Sequence, residues 1–156
     1  RWADLREVIE KGVAICRGQV KNMVKSFEVD VTKEAPPVFT DPEALEQVLV
    51  NLVINAAQAA DKEDSWVRLT VQLGDTQTDH VIIEVSDNGC GMDEQTREKI
   101  FRPFFTTKST GSGTGLGLFV SHNLIEGLGG HIELQSEPGK GSTFRITLPD
   151  MGQHSN

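Results

Sequence analysis

Cysteine is scarce in these 156 residues, limited to Cys16 and Cys90. One falls on the apolar face of a helical pattern and the other in a glycine-rich turn, which excludes a disulfide framework and fits a reducing compartment, the cytoplasm. Positive charge is also short: 15 Lys and Arg stand against 23 Asp and Glu, a net charge of −8. A general nucleic-acid or anionic-membrane surface is thereby excluded, although local groups can still bind a small anion. No apolar run approaches the roughly 20 residues of a membrane-spanning helix, and no signal peptide is visible. The parent protein is free to carry an anchor elsewhere. There are no internal repeats. The first residue is Arg1, not Met, and a helical pattern follows at once, so we expect a piece excised from a longer protein. The length suits one domain with a substantial core, taken as residues 1–149, followed by an unstructured tail over 150–156.

The stretch that organises the rest is DPEALEQVLVNLVINAAQAA, Asp41 to Ala60. Asp41 suits a helix cap, Pro42 the first helical position and Glu43 the positive end of the dipole. The body is apolar nearly all round, from Leu45 through Val48, Leu49, Leu52, Val53 and Ala56, which predicts a buried helix. One polar row interrupts it. Gln47, Asn51, Asn55 and Gln58 lie at helical spacing on a single face. An unpaired buried amide costs about 1–3 kcal/mol. The row therefore either satisfies itself, runs along a wet helix edge, or lines a polar cavity that takes a ligand.

Before it, Leu5, Val8, Ile9, Val13, Cys16, Val20, Met23 and Val24 predict an amphipathic helix over Ala3 to Lys25. Phe27 to Thr32 alternates as a half-buried strand, ended by Ala35-Pro36-Pro37. After it, Trp66 to Leu73 and His80 to Ser86 read as an antiparallel hairpin around GDTQTD. A short helix is expected from Asp93 to Ile100, and STGSGTG reads as a mobile loop. LGLFVSHNLIEGLGG follows as a third long helix, starting near Gly115 and ending at Gly129 or Gly130. His131 to Ser136 and Ser142 to Leu148 form a second hairpin, closed by Pro149. Helices and hairpins without strict βαβ alternation predict a two-layer α/β (α+β) sandwich. Its mixed, mostly antiparallel sheet carries helices on one face, and the other face is partly solvent-exposed or covered by the loop.

Four stretches carry chemistry: the amide row, DNGCGM at a strand end, FRPFF with Lys108 beyond it, and GSGTGLGL from Gly111 to Leu118. A glycine-rich loop entering a helix either binds an anion with its free N–H groups or is only a linker. It is not a Walker loop, because no GK[ST] follows. Asp87 is either a turn residue or an acceptor for an exocyclic amine such as adenine's. Lys108 is either a solvated charge or a partner for a terminal phosphate.

In this order the stretches resemble, over nearly the whole chain, the ATP-binding catalytic domain of sensor histidine kinases. That family lies within the superfamily of gyrase, the Hsp90 chaperones and MutL, which shares the Bergerat-type ATP-binding fold. NLVINA (Asn51 to Ala56) is similar to the N box, DNGCGM (Asp87 to Met92) to the first glycine box, FRPFF (Phe101 to Phe105) to the F box and GTGLGL (Gly113 to Leu118) to the second glycine box. GSTFRITLP is similar to the closing strand.

The resemblance implies roles residue by residue. Asn55 matches the ligand of a phosphate-bridging Mg²⁺, which oxygen donors suit. Asp87 matches the carboxylate that reads the adenine amino group, Gly89 and Gly91 let the base pack on backbone, and Met92 walls the pocket. Gly113, Thr114, Gly115, Leu116 and Gly117 would form the lid and the phosphate-facing helix start, with Lys108 reaching the terminal phosphate. Thr143 is similar to a strand hydroxyl that joins Asp87 on adenine. In the ATP-hydrolysing relatives a glutamate stands one turn before the metal-binding asparagine and acts as general base. Here that place holds Asn51, an amide unable to take the proton, which favours a kinase over an ATPase; a binding-only nucleotide switch is the further alternative. Gln58 departs from the basic residue many sensor kinases carry one turn later, which shifts phosphate contact onto Lys108.

Histidine kinases phosphorylate a His followed by an acidic residue. His80 precedes Val81, His122 Asn123, His131 Ile132 and His154 Ser155, and none fits. His122 reads as an exposed helix residue. The implied cofactors are ATP and Mg²⁺. The implied partners are ATP or ADP, a phosphoacceptor histidine domain of the same parent and, indirectly, a response regulator, without nucleic acid and without membrane insertion by this segment.

Overall fold

Eleven short elements build the computed structural model, which describes residues 1–74, 80–105 and 117–149. In chain order they are β1 (Trp2–Ala3), α1 (Leu5–Lys21), β2 (Ser26–Val31), β3 (Val38–Phe39), α2 (Pro42–Gln58), β4 (Trp66–Leu73), β5 (His80–Asp87), α3 (Glu94–Lys99), α4 (Gly117–Gly127), β6 (His131–Glu137) and β7 (Gly141–Pro149). The expected tail over 150–156 lies outside the described residues.

The main sheet has the order β2-β4-β5-β7-β6. β2 runs parallel to β4, and the β4–β5, β5–β7 and β6–β7 pairs are antiparallel. The sheet is thus mixed and mostly antiparallel, as the sequence predicts. Alternation sends Val67, Leu69 and Val71, then Val81, Ile83 and Val85, then Phe144, Ile146 and Leu148 into the core. Leu5, Ile9, Val13 and Val20 of α1, Leu45, Val48, Leu49, Leu52 and Val53 of α2 and Ile125 of α4 fill the same core. The opposite sheet face is polar. There Arg145 donates to Glu84 at 2.7 Å and the Arg68 guanidinium lies 4.6 Å from the Trp66 ring centroid.

α2 starts where its sequence says it should: the Asp41 carboxylate accepts from the N–H groups of Glu43 and Ala44 at 3.1 and 3.2 Å, with Pro42 in the first turn. α1 is shorter than the apolar periodicity suggests. Asp4 caps it, accepting from Arg6 N–H at 2.9 Å, and it ends at Lys21, so Met23 and Val24 lie beyond it. The amide row is only partly buried, in line with the wet-edge alternative. Gln47 and Gln58 are exposed while Asn51 and Asn55 are half-buried. α2 has the sheet beneath it, α1 against it and α4 against it; of the row, Gln47 and Gln58 meet solvent while Asn51 turns toward α4. A second sheet of two residues per strand, β1 with β3, was not predicted. Trp2 and Phe39 meet edge to face on it at 5.4 Å.

Candidate functional site

β5 delivers Asp87 to the end of the sheet, where the residue is only 5% exposed. It accepts the Gly89 N–H at 2.8 Å, and the Ser142 N–H bonds to it from β7. Burial pushes its pKa up to about 6, the two backbone N–H groups and the Lys62 ammonium pull it down, and Asp61 adds a small upward push. Among the described residues no Lys, Arg or His forms a salt bridge with it. A carboxylate so placed keeps acceptor capacity for a donor from outside the chain.

The loop after Asp87 is held from every side. Asn88 accepts the Trp66 N–H at 2.8 Å and donates to the Asp64 carbonyl at 3.0 Å. Lys62 donates to the carbonyls of Asn88 and Gly89 at 2.6 and 3.0 Å. Cys90 N–H donates to the Ala59 carbonyl at 3.0 Å, and Gly139 N–H to the Cys90 carbonyl at 2.7 Å. Met92 N–H donates to Ser136 Oγ at 2.8 Å. Cβ atoms at Gly89 and Gly91 would strike the carbonyls of Ala59 and Glu137, so these glycines seat the loop on the end of α2 and on the β6–β7 turn. Gly91 (φ +68°) and Gly141 (φ +99°) also need the left-handed region. A Cβ at Gly141 would meet the Asp87 carbonyl.

Because Ala59 caps α2, its grip on Cys90 brings the Asp87 loop to the end of α2 that carries Asn55, one turn back. Asn51 faces α4 instead. Its amide donates to Ser121 Oγ at 3.1 Å, and a Cβ at Gly117 would stand 2.7 Å from its Oδ1. The start of α4 is thereby fixed against the N-box helix, so Asn51 serves as a clamp between two helices. Phe101 is half-buried. It lies 5.1 Å from the His122 ring and 6.2 Å, edge to face, from Phe144. His122 is accordingly half-buried under Phe101, not exposed as the sequence suggested. Phe104 is 72% exposed at a positive φ of 65°.

Thr143 is not brought to Asp87. The β5–β7 register pairs Ser86 with Thr143 and Asp87 with Ser142, and the Thr143 and Ser86 hydroxyls bond at 3.0 Å. Strand alternation puts that pair on the polar face, and the hydroxyl on Asp87's face belongs to the buried Ser142. Lys108, Gly113, Thr114, Gly115 and Leu116 lie outside the described residues.

Among the described residues no group of three His, Cys, Asp or Glu is arranged to hold a metal. Asn55 carries a carboxamide oxygen, a donor type that would suit a hard cation such as Mg²⁺. A cavity of about 500 Å³ opens between α1, α2 and α4, lined by Ile15, Val50, Ile54, Val120 and Leu124 with Asn51 and Gly117 also at its wall. Asp87 and Asn55 are not among its lining residues, so cavity size does not mark the buried carboxylate.

The family model described as "Histidine kinase-, DNA gyrase B-, and HSP90-like ATPase" matches residues 40–152. The chain belongs to this family. Several of its relatives are named histidine kinases, and this chain is the ATP-binding catalytic domain of a sensor histidine kinase. It is 44% identical to signal transduction histidine-protein kinase AtoS of Escherichia coli (strain K12) over 123 residues, 79% of this chain and 19% of that protein. It is 37% identical to sensor histidine kinase ZraS of Klebsiella oxytoca over 98% of this chain and 32% of that protein. It thus spans a fifth to a third of these relatives' length. Among solved structures, the catalytic domain of histidine kinase ThkA in a nucleotide-free form superposes with a TM-score of 0.80 at 32% identity, covering 96% of this chain and 95% of that one. Full-length ShkA in complex with AMPPNP also gives 0.80, at 25% identity, over 96% of this chain and 30% of that one.

Against the family's motifs, sequence reasoning missed Ser142, Ser136, Lys62 and Ser121. For Ser142 a signal existed: Phe144, Ile146 and Leu148 make the even positions of the closing strand the inward ones.

Proposed function

We propose that this kinase domain binds Mg·ATP and transfers the γ-phosphoryl to a histidine on a phosphoacceptor domain outside the chain, acting indirectly on a response regulator. The observation that carries the reading is Asp87: a buried carboxylate with two backbone donors and spare acceptor capacity, on a loop braced at the end of α2. Asp87 accepts the adenine amino group, with Met92 beside it. Asn55 gives its side-chain oxygen to the cation that neutralises the phosphates. Lys108 and the 113–117 stretch supply the remaining contacts to the nucleotide. Phosphoryl transfer needs positioning and charge neutralisation more than covalent chemistry, so these groups suffice without a base. Asn51 supports transfer over hydrolysis, because an amide does not take a proton from water at neutral pH.

Calorimetric titration of the chain with ADP and Mg²⁺ tests the binding step, and absence of heat rejects it. Adding the parent's helical phosphoacceptor domain with γ-labelled ATP tests transfer: label on a histidine is the expected result. Turnover without any acceptor would move the assignment to the ATPases of the family.

A further inference from the structure

Behind the Asp87 pair stands a hydroxyl with no role so far. Ser136 on β6 is buried, and a serine hydroxyl has one proton and two lone pairs. Met92 N–H donates to it at 2.8 Å and occupies one lone pair. The Gly141 carbonyl, at 3.1 Å, can only accept, and it takes the proton. The third neighbour is Ser142 Oγ at 2.8 Å. With the proton of Ser136 already placed, Ser142 must be the donor in that bond. Its proton therefore points to Ser136, and what Ser142 keeps is lone pairs.

Ser142 sits opposite Asp87 in the β5–β7 register and on the same sheet face. The carboxylate and the serine oxygen are then both acceptors. A purine must bring a donor to meet them at position 6: a 6-amino group does, whereas a 6-oxo group puts an acceptor there and leaves its donor at N1–H. The opposite proton order, Ser136 donating to Ser142, would leave the Gly141 carbonyl without this bond and turn Ser142 into a donor that suits the 6-oxo group.

We infer that Ser136 is a positioning residue for base selection, fixing the proton of Ser142 so that only acceptors face the base and a 6-amino purine is preferred over a 6-oxo one. The inference rests on the nucleotide-binding reading of Asp87 and adds a determinant of selectivity to it.

The test is the ratio of ADP to IDP affinity, measured by calorimetry on the whole chain. Wild-type protein should prefer ADP. In Ser136→Ala the Ser142 hydroxyl is released to donate to a 6-oxo group, and the ADP/IDP preference should fall about fivefold, the worth of one hydrogen bond. Ser142→Ala should lower it similarly, and adding Ser136→Ala to that variant should change the ratio no further, because the residue acts through Ser142. Ser136→Thr keeps the hydroxyl and should keep the ratio. A Ser136→Ala protein that weakens both nucleotides equally has only a structural role there, and the inference is overturned. An undiminished fivefold effect of Ser136→Ala in the Ser142→Ala background overturns it too. If Ser136→Ala does not fold, as judged by circular dichroism, Ser142→Ala alone decides: an unchanged ratio overturns the inference. Wild-type protein that binds neither nucleotide sinks the nucleotide reading itself, whereas an intact preference in Ser136→Ala sinks only the role given to Ser136.

Discussion

Asp87→Asn should make the domain more stable and its nucleotide binding worse at the same time. The buried carboxylate has its pKa raised from the ordinary 3.8 to about 6, first by burial. A raised folded-state pKa means that the fold prefers the protonated form. Stability from this group is complete below the unfolded pKa and is lost as pH rises through about 6. The shift corresponds to about 3 kcal/mol at pH 7. Asparagine removes that charge penalty but retains only one acceptor oxygen for the Gly89 and Ser142 N–H groups. The net gain should therefore be smaller, about 1–2 kcal/mol, or roughly 2–8 °C in Tm for a domain of this size. Adenine recognition should weaken by about 10- to 100-fold, the loss of a hydrogen bond to a charged acceptor. Thermal melts of both proteins from pH 4 to 8, paired with ADP titrations, read out both effects. The stability difference should close as pH falls toward 4, where both side chains are neutral. A variant less stable than wild type at pH 8, or one that binds ADP unchanged, refutes the reasoning.

Asn55→Ala should abolish the gain in ADP affinity that Mg²⁺ brings while leaving metal-free binding nearly intact; an undiminished metal effect in the same titration would place the ligand elsewhere. Gly141→Ala forces a Cβ into the Asp87 carbonyl at a φ of +99°, so chemical denaturation should show a loss of about 2 kcal/mol or more. In the folded protein a thiol-alkylating reagent should modify Cys90, which is exposed, and spare Cys16, which is buried with its thiol pushed up by that burial. Intact-mass analysis showing equal labelling of both would contradict the packing of α1.

Much of the fold was legible because its signals are local. The cap, proline and dipole residues of α2 sit within three positions of one another, and the inward positions of β4, β5 and β7 are strictly alternate. The candidate loop was legible for the same reason, since DNGCGM is contiguous. What failed or stayed open depended on partners far along the chain. Whether the amide row lay inside, at a wet edge or in a cavity stayed open from α2 alone, because the placement of α1 and α4 decides which side of α2 meets solvent. β1 and β3 pair across more than thirty residues and carry two residues each, too few for any period to show. Thr143 was assigned by its resemblance to a family position, while which hydroxyl shares Asp87's face belongs to register: a shift of one residue exchanges the faces. Lys62, Asn88 and Ser136 act through hydrogen bonds to main-chain groups of other segments, which residue type alone does not announce.

The described residues stop at Phe105 and resume at Gly117, and α4 packs on Phe101 before that interval and begins at its far side. Gly117 begins α4 against Asn51, while His122, further along the same helix, carries the ring of Phe101. A shift of α4 would therefore disturb its packing on Phe101 and its contact with Asn51 together, without touching Asp87.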